Sequence, residues 1–209
     1  MAGQSSLLLL LAAITVSFIA VDARRTSRST RGLSTFKAID CGGANAAIQF
    51  NRISLTPRPI ALPGIMNIDL SVNVRRNISQ TITADIELSR RMDFGWLGHI
   101  WIDLVSACTE GQDCSRKDLC EEMNRYVAAR GCPPEVTGNG INCTCPLEVG
   151  SYSTRSDLPL RYEFLESRLP HQLFLDLMTG RYRMHTSLYD GNGEKIGCFK
   201  LYFGVEHLN

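Results

Sequence analysis

Met66-Asn67-Ile68-Asp69-Leu70-Ser71-Val72-Asn73-Val74-Arg75 alternates apolar and polar side chains without a fault. Successive side chains of an extended strand point to opposite faces, so Met66, Ile68, Leu70, Val72 and Val74 share one face. Ile82, Ala84, Ile86 and Leu88 repeat the pattern against Thr81, Thr83, Asp85 and Glu87. Ile48 to Leu55, His99 to Val105, Arg181 to Tyr189 and Lys195 to Val205 are further strands, the last two joined by the hairpin signal Asp190-Gly191-Asn192-Gly193. One short helix interrupts them. Ser115 and Asp118 have capping-box spacing, Leu119, Met123, Tyr126 and Val127 form an apolar stripe, and Gly131 before Cys132-Pro133-Pro134 ends it.

Several one-faced strands must bury their apolar faces against each other, which predicts an all-β, two-sheet antiparallel sandwich or cup with the helix across one rim. Periodicity does not say whether the interior is filled by its own side chains or opened for a ligand. From Phe36 to Asn209 there are roughly 170 residues, enough for one domain with a substantial core, and no internal repeat divides them.

Eight cysteines, six of them between Cys108 and Cys145 and the others at Cys41 and Cys198, read as a disulfide framework formed in an oxidising compartment. Structural zinc is a poor fit, because Cys143-Thr144-Cys145 is too tight and His99, His171, His185 and His207 are scattered. The N-terminus agrees with secretion. Leu7 to Val21 is apolar but short for a bilayer, and Val21-Asp22-Ala23 puts small residues where a signal peptidase reads. A signal peptide over 1–23 is therefore expected, an uncleaved anchor being the alternative because the stretch before Leu7 carries no Lys or Arg. Residues 24–35, opening Arg24-Arg25-Thr26-Ser27-Arg28, are expected to be a basic, disordered leader to a domain over 36–209. The full chain carries a formal charge of +1; losing Asp22 makes it +2, from 22 basic and 20 acidic residues. Asn77-Ile78-Ser79 and Asn142-Cys143-Thr144 are glycosylation sequons, the second beside a cysteine expected to be bridged.

Neither a G-x-S-x-G elbow nor H-E-x-x-H occurs, and disulfides would consume the thiol nucleophiles. Glu121-Glu122, or Asp103 with Glu87, could be imagined as an acid pair, but a solvated face is the simpler role. No catalytic residue, metal or cofactor is expected, and no nucleic-acid partner.

Phe36-Lys37-Ala38-Ile39-Asp40-Cys41, Ile53 to Gly64 with Pro57-Arg58-Pro59-Ile60 and Leu62-Pro63-Gly64, the six-cysteine block, Cys143-Thr144-Cys145-Pro146-Leu147-Glu148-Val149-Gly150-Ser151-Tyr152, and Thr179-Gly180-Arg181-Tyr182-Arg183 with Gly197-Cys198 resemble the ganglioside GM(2) activator branch of the ML (lipid-recognition) domains. The resemblance runs from about Phe36 to the C-terminus. It implies an immunoglobulin-like β-cup whose interior holds acyl chains, with four disulfides, Cys41–Cys198, Cys108–Cys114, Cys120–Cys145 and Cys132–Cys143. It also implies a secreted and lysosomal, non-catalytic carrier that lifts a glycosphingolipid from a membrane and presents its headgroup to a glycosidase such as β-hexosaminidase. The alternatives are an extracellular recognition module holding a lipid as a signal for a receptor, and a sterol or fatty-acid carrier.

A sixteen-carbon chain hides roughly 12 kcal/mol of unfavourable water contact at about 0.8 kcal/mol per CH₂, so extraction requires an equally dry cavity. Ile68, Leu70, Val72, Ile82, Ile86, Leu88, Ile100, Ile102, Tyr182, Met184 and Leu188 are the candidates to line it. Two apolar segments are candidates for a membrane-facing mouth. Pro59 to Ile65, with Ile60 and Leu62, is broken by prolines and expected not to pair in a sheet; Leu173 to Met178, with Leu173, Phe174, Leu177 and Met178, lacks strict alternation.

Overall fold

The computed structural model describes residues 32–78, 81–105, 118–164 and 178–208. These form strands β1 (Lys37–Asp40), β2 (Ile48–Thr56), β3 (Ile60–Leu62), β4 (Gly64–Val74), β5 (Ile82–Asp93), β6 (His99–Val105), β7 (Gly150–Ser153), β8 (Leu160–Phe164), β9 (Gly180–Asp190) and β10 (Lys195–His207). Helices α1 (Leu119–Arg130) and α2 (Pro134–Gly138) and a 3₁₀ turn at Gly95–Leu97 complete the elements. In the larger sheet β1, β10, β9, β5 and β6 lie side by side, with β3 beside the end of β10. In the smaller sheet β2 pairs with β4, whose other edge takes β7 along Ser71–Val74 and β8 along Gly64–Ile68. Among the described pairings β3 with β10 is parallel and the rest are antiparallel. The fold is all-β, two sheets face to face.

Strict alternation explains β4 and β9 but not β2. Phe50 and Ile53 are three apart, so an unbroken strand would aim them at opposite faces. A bulge between Phe50 and Arg52 restores the parity, and Ile48, Phe50, Ile53 and Leu55 all pack inward. The β9–β10 hairpin closes on Asp190, whose carboxylate accepts from the backbone N–H of Asn192 at 2.9 Å and of Glu194 at 3.0 Å. Gly193 supplies the positive φ, 77°, that a side chain would oppose.

Two apolar clusters fill the space between the sheets. At one end Ile48, Val72, Val74, Ile82, Leu188 and Ile196 pack with Cys120, Leu147 and Tyr152. At the other Leu55, Ile60, Leu62, Tyr182, Leu201 and Val205 pack with Met66, Leu88, Met184 and Phe203. The second cluster corrects the expectation for Pro59–Ile65. Ile60 and Leu62 are buried inside rather than exposed to a membrane, because β3 finds backbone partners at Val205–His207, beyond the stretch of β10 that pairs with β1. The flanking prolines bound this short strand without interrupting it. Leu33 corrects the leader boundary. Only 2 % exposed, it lies so close to Gly204 that a Cβ there would come 2.0 Å from the Leu33 carbonyl oxygen. Packing thus begins before Phe36; residues 1–31, with the expected signal peptide and most of the leader, lie outside the described residues.

Helix α1 is clamped by a cap and a disulfide. Its cap is Asp118, not Ser115: one carboxylate oxygen accepts from Cys120 N at 2.9 Å and from Glu121 N at 3.4 Å. An acceptor-only carboxylate suits the positive end of a helix. The same oxygen accepts from Ile82 N at 3.4 Å, tying α1 to the start of β5. Of the expected stripe Leu119 and Tyr126 are exposed, and the residue of α1 that is buried is Cys120. A second helix, α2, starts at Pro134, where a first-turn proline forfeits no intrahelical bond. Cys120–Cys145 and Cys132–Cys143 hold this layer, and Cys41–Cys198 ties β1 to β10. Cys108 and Cys114 lie outside the described residues. Cys41–Cys198 bridges a sequence separation of 157 residues, for which loop-closure entropy gives about 5 kcal/mol. Replacing both cysteines with Ala is expected to lower the unfolding free energy in urea by about that amount; a loss below about 1 kcal/mol would contradict the loop-closure account.

Candidate functional site

Register places the inward side chains of the larger sheet in rows. Arg90, Tyr182 and Phe203 form one, Leu88, Met184 and Leu201 the next, then Ile86, Thr186 and Phe199, and finally Ala84, Leu188 and Gly197. On β6, Ile102 stands opposite Arg90 and Ile100 opposite Met92. The smaller sheet answers with Met66, Ile68, Leu70 and Val72 on β4, and Tyr162 opposite Met66 on β8.

The expected lining residues divide into three groups. Val72, Ile82 and Leu188 are buried in the first cluster with Leu70 packed against it; Tyr182 is buried in the second, with Ile68, Leu88 and Met184 against it. Ile86, Ile100 and Ile102 share the inward face yet are 43 %, 51 % and 42 % exposed. These three isoleucines are an open, apolar wall at the β5–β6 edge. Between β1 and β2 an open groove of about 320 Å³ is bordered by Phe36, Phe50, Ile53 and Arg58 and by none of the expected lining residues.

Sequence patterning missed the tip of the β5–β6 hairpin. Phe94, Trp96 and Leu97 are all exposed there, Trp96 at 93 %, on a turn bracketed by Gly95 and Gly98, both at positive φ. The available signal was aromatic residues set among glycines in Phe94-Gly95-Trp96-Leu97-Gly98, which has no strand period. The tip lies at the end of the sheet where β9 begins, and Arg181 on β9 pairs with Asp93 at 3.4 Å. Met178, at that rim, is exposed; Leu173, Phe174 and Leu177 lie outside the described residues.

Among the described residues, Arg90 and Thr186 are polar side chains on this inward face that each keep a buried atom unpaired. Arg90 donates from Nη2 to the Thr179 carbonyl at 2.9 Å while its buried Nε has no partner. Thr186 is 4 % exposed and its hydroxyl has none either. Tyr182 donates to the Met178 carbonyl, and burial pushes its phenol up against the opposing influence of Arg90. The acids weighed above serve elsewhere: Asp103 accepts from Ser89 at 2.7 Å, and Glu121 and Glu122 pair with Arg125 on solvent. Asn77 and Asn142 are both exposed.

Comparison with known families matches the ML domain over residues 35–204. The chain belongs to the ML domain family. The ganglioside GM2 activator of Macaca fascicularis is 25 % identical over 171 residues, covering 81 % of this chain and 82 % of that protein. A Niemann-Pick type C2 protein from the Japanese carpenter ant aligns over 82 % of this chain and 99 % of its own, at 12 % identity and a TM-score of 0.39. Chicken MD-1 complexed with lipid IVa aligns over 80 % and 96 %, at 9 % identity and a TM-score of 0.32. This ML domain is a lipid-binding fold, and among the described residues its isoleucine wall is one place where apolar interior is left exposed.

An unpartnered buried hydroxyl costs about 1–3 kcal/mol. Thr186→Val keeps the shape and removes the hydroxyl, so the urea midpoint of the lipid-free ML domain is expected to rise, corresponding to about 1 kcal/mol; a fall of similar size would mean that the hydroxyl is bonded.

Proposed function

We propose that this ML domain is a secreted and lysosomal, non-catalytic lipid carrier that lifts a glycosphingolipid from a membrane and presents its headgroup to a glycosidase such as β-hexosaminidase. The observation that carries the proposal is the continuity between the open wall of Ile86, Ile100 and Ile102 and the exposed Phe94, Trp96 and Leu97 at the end of the same hairpin. An acyl chain leaving a bilayer needs an apolar surface at each stage, and the hairpin supplies one at its tip and another along its inward face. Trp96 suits the interface, where an apolar ring with a polar N–H sits at headgroup depth. The similarity to a ganglioside GM2 activator supports a sphingolipid cargo. The eight cysteines and the exposed Asn77 of the first sequon suit secretion with glycosylation at Asn77, whereas Asn142 adjoins Cys143, which is bridged to Cys132.

The purified protein is expected to move a fluorescent glycolipid between vesicles. With β-hexosaminidase it should raise turnover of a membrane-embedded ganglioside more than of a water-soluble substrate; equal stimulation of both would count against presentation. Replacing Trp96 and Leu97 together with Ser should weaken vesicle flotation by about 1.5–3 kcal/mol per inserted side chain and leave the melting temperature near wild type. Unchanged flotation would remove the tip from the membrane contact.

A further inference from the structure

On the outer face of the larger sheet, away from the lipid wall, one group of reactive side chains has no part in holding a lipid. His185 on β9 lies between Glu87 on β5 and Lys200 on β10. Its Nδ1 is 3.1 Å from Glu87 Oε2 and its Nε2 is 3.3 Å from Cys198 Sγ, one half of the Cys41–Cys198 disulfide. An ionised carboxylate and a disulfide sulfur both offer lone pairs and no proton. A neutral imidazole, with one N–H, satisfies one of them; the imidazolium donates to both.

We propose that Glu87, His185 and Cys198 make Cys41–Cys198 a thiol-exchange site with its own proton donor. The co-reactant is a low-molecular-weight or protein thiol, R–SH. Its thiolate attacks Sγ of Cys41, the half-buried partner, since Cys198 is 1 % exposed. A bond forms between R–S and Cys41, the Cys41–Cys198 bond breaks, and the electron pair leaves on Cys198 Sγ. His185 Nε2–H delivers its proton to that sulfur, giving the Cys198 thiol, a neutral ring and the mixed disulfide R–S–S–Cys41. A second R–SH resolves the mixed disulfide to R–S–S–R and the Cys41 thiol. Two thiols are oxidised and one protein disulfide is reduced. Exchange speeds up when the leaving sulfur is stabilised, and a positioned acid does this at the moment of departure. Glu87 holds the opposite N–H and balances the charge of the ring.

The donor atoms of Cys41, His185 and Cys198 also lie within 4.8 Å of one another. A metal there would need both sulfurs as thiolates, which the disulfide withholds; exchange is the chemistry open to the oxidised protein. Histidine changes charge between about pH 5 and about pH 8. The ionisable groups on the strands around this ring are Glu87 and Asp85 on β5, Lys200 on β10, Arg183 on β9, and Lys37 and Asp40 on β1. The imidazolium is the form that donates to both Glu87 and Cys198, whereas acid depletes the attacking thiolate. The contribution of His185 is therefore read as a ratio at each pH. Reduction releases the covalent tie across most of the domain, so the site couples the lifetime of the folded carrier to thiols in an acidic environment.

The test incubates the folded, oxidised protein with reduced glutathione from about pH 5 to about pH 8, alkylates the released thiols and assigns them by peptide. For Cys41–Cys198 the ratio of wild-type to His185→Gln rates is expected to rise roughly tenfold or more from the alkaline to the acidic end, with Glu87→Gln in between. Cys120–Cys145 should be reduced at one rate in all three proteins. A ratio that stays flat with pH overturns the proposal, as does a parallel change at Cys120–Cys145, which would report a loosened fold. If His185→Gln fails to fold, Glu87→Gln decides alone: its exposed carboxylate is removed without opening a cavity, and the same pH-dependent ratio is required of it.

Discussion

The larger sheet is wider than the one facing it. Among the described residues five strands stand side by side from β1 to β6, against a smaller sheet that is three strands across from β2 through β4 to β7 and β8. β2 packs near β1 and β10, so among the described residues coverage starts at that edge and does not reach β6. The inward face of β5 and β6 keeps the apolar alternation of a buried strand, and Ile86, Ile100 and Ile102 remain exposed on it. At about 25 cal/mol per Å² of apolar surface removed from water, such a wall favours any apolar molecule that covers it. The two packed clusters, the cap at Asp118 and the disulfides maintain that mismatch against collapse.

The same wall limits what the domain needs from chemistry. A carrier has to remove chains from water and return them, so its interior requires area more than reactive groups. Arg90 and Thr186, described above, are polar side chains on the inward face, and each keeps a buried atom unpaired. The reactive side chains concentrate on the outer face, around His185 and the Cys41–Cys198 bond. The proposed lipid contact and the proposed thiol response thus fall on opposite faces of one sheet, which strand alternation makes possible.

Much of this architecture was legible in the sequence because alternation is a local property. β4, β5, β6, β9 and β10 follow it to within two residues except at the far end of β5, and the Asp190–Gly193 turn carries its own chemistry. What escaped depends on partners far away in the chain. β3 exists because the end of β10 offers it a free edge, so its prolines misled; Leu33 is buried because Gly204 leaves room for its backbone. The bulge after Phe50 reverses the apparent parity of β2. Exposure of Ile86, Ile100 and Ile102 follows from the relative widths of the two sheets among the described residues, which no single strand encodes, and the Phe94–Leu97 tip lies on a turn outside any strand period. The family resemblance supplied what periodicity did not, above all the pairing of Cys41 with Cys198, Cys120 with Cys145 and Cys132 with Cys143.

The central claim is that the acyl chain lies against the β5–β6 wall. A glycosphingolipid carrying a photoactivatable diazirine in its acyl chain, crosslinked in the bound state and mapped by peptide mass spectrometry, tests it most directly. The account expects the label on Ile86, Leu88, Ile100, Ile102 and Met184. Labelling concentrated instead in the β1–β2 groove at Phe36, Phe50 and Ile53, or on the outer face at Trp101 and Tyr202, would contradict it.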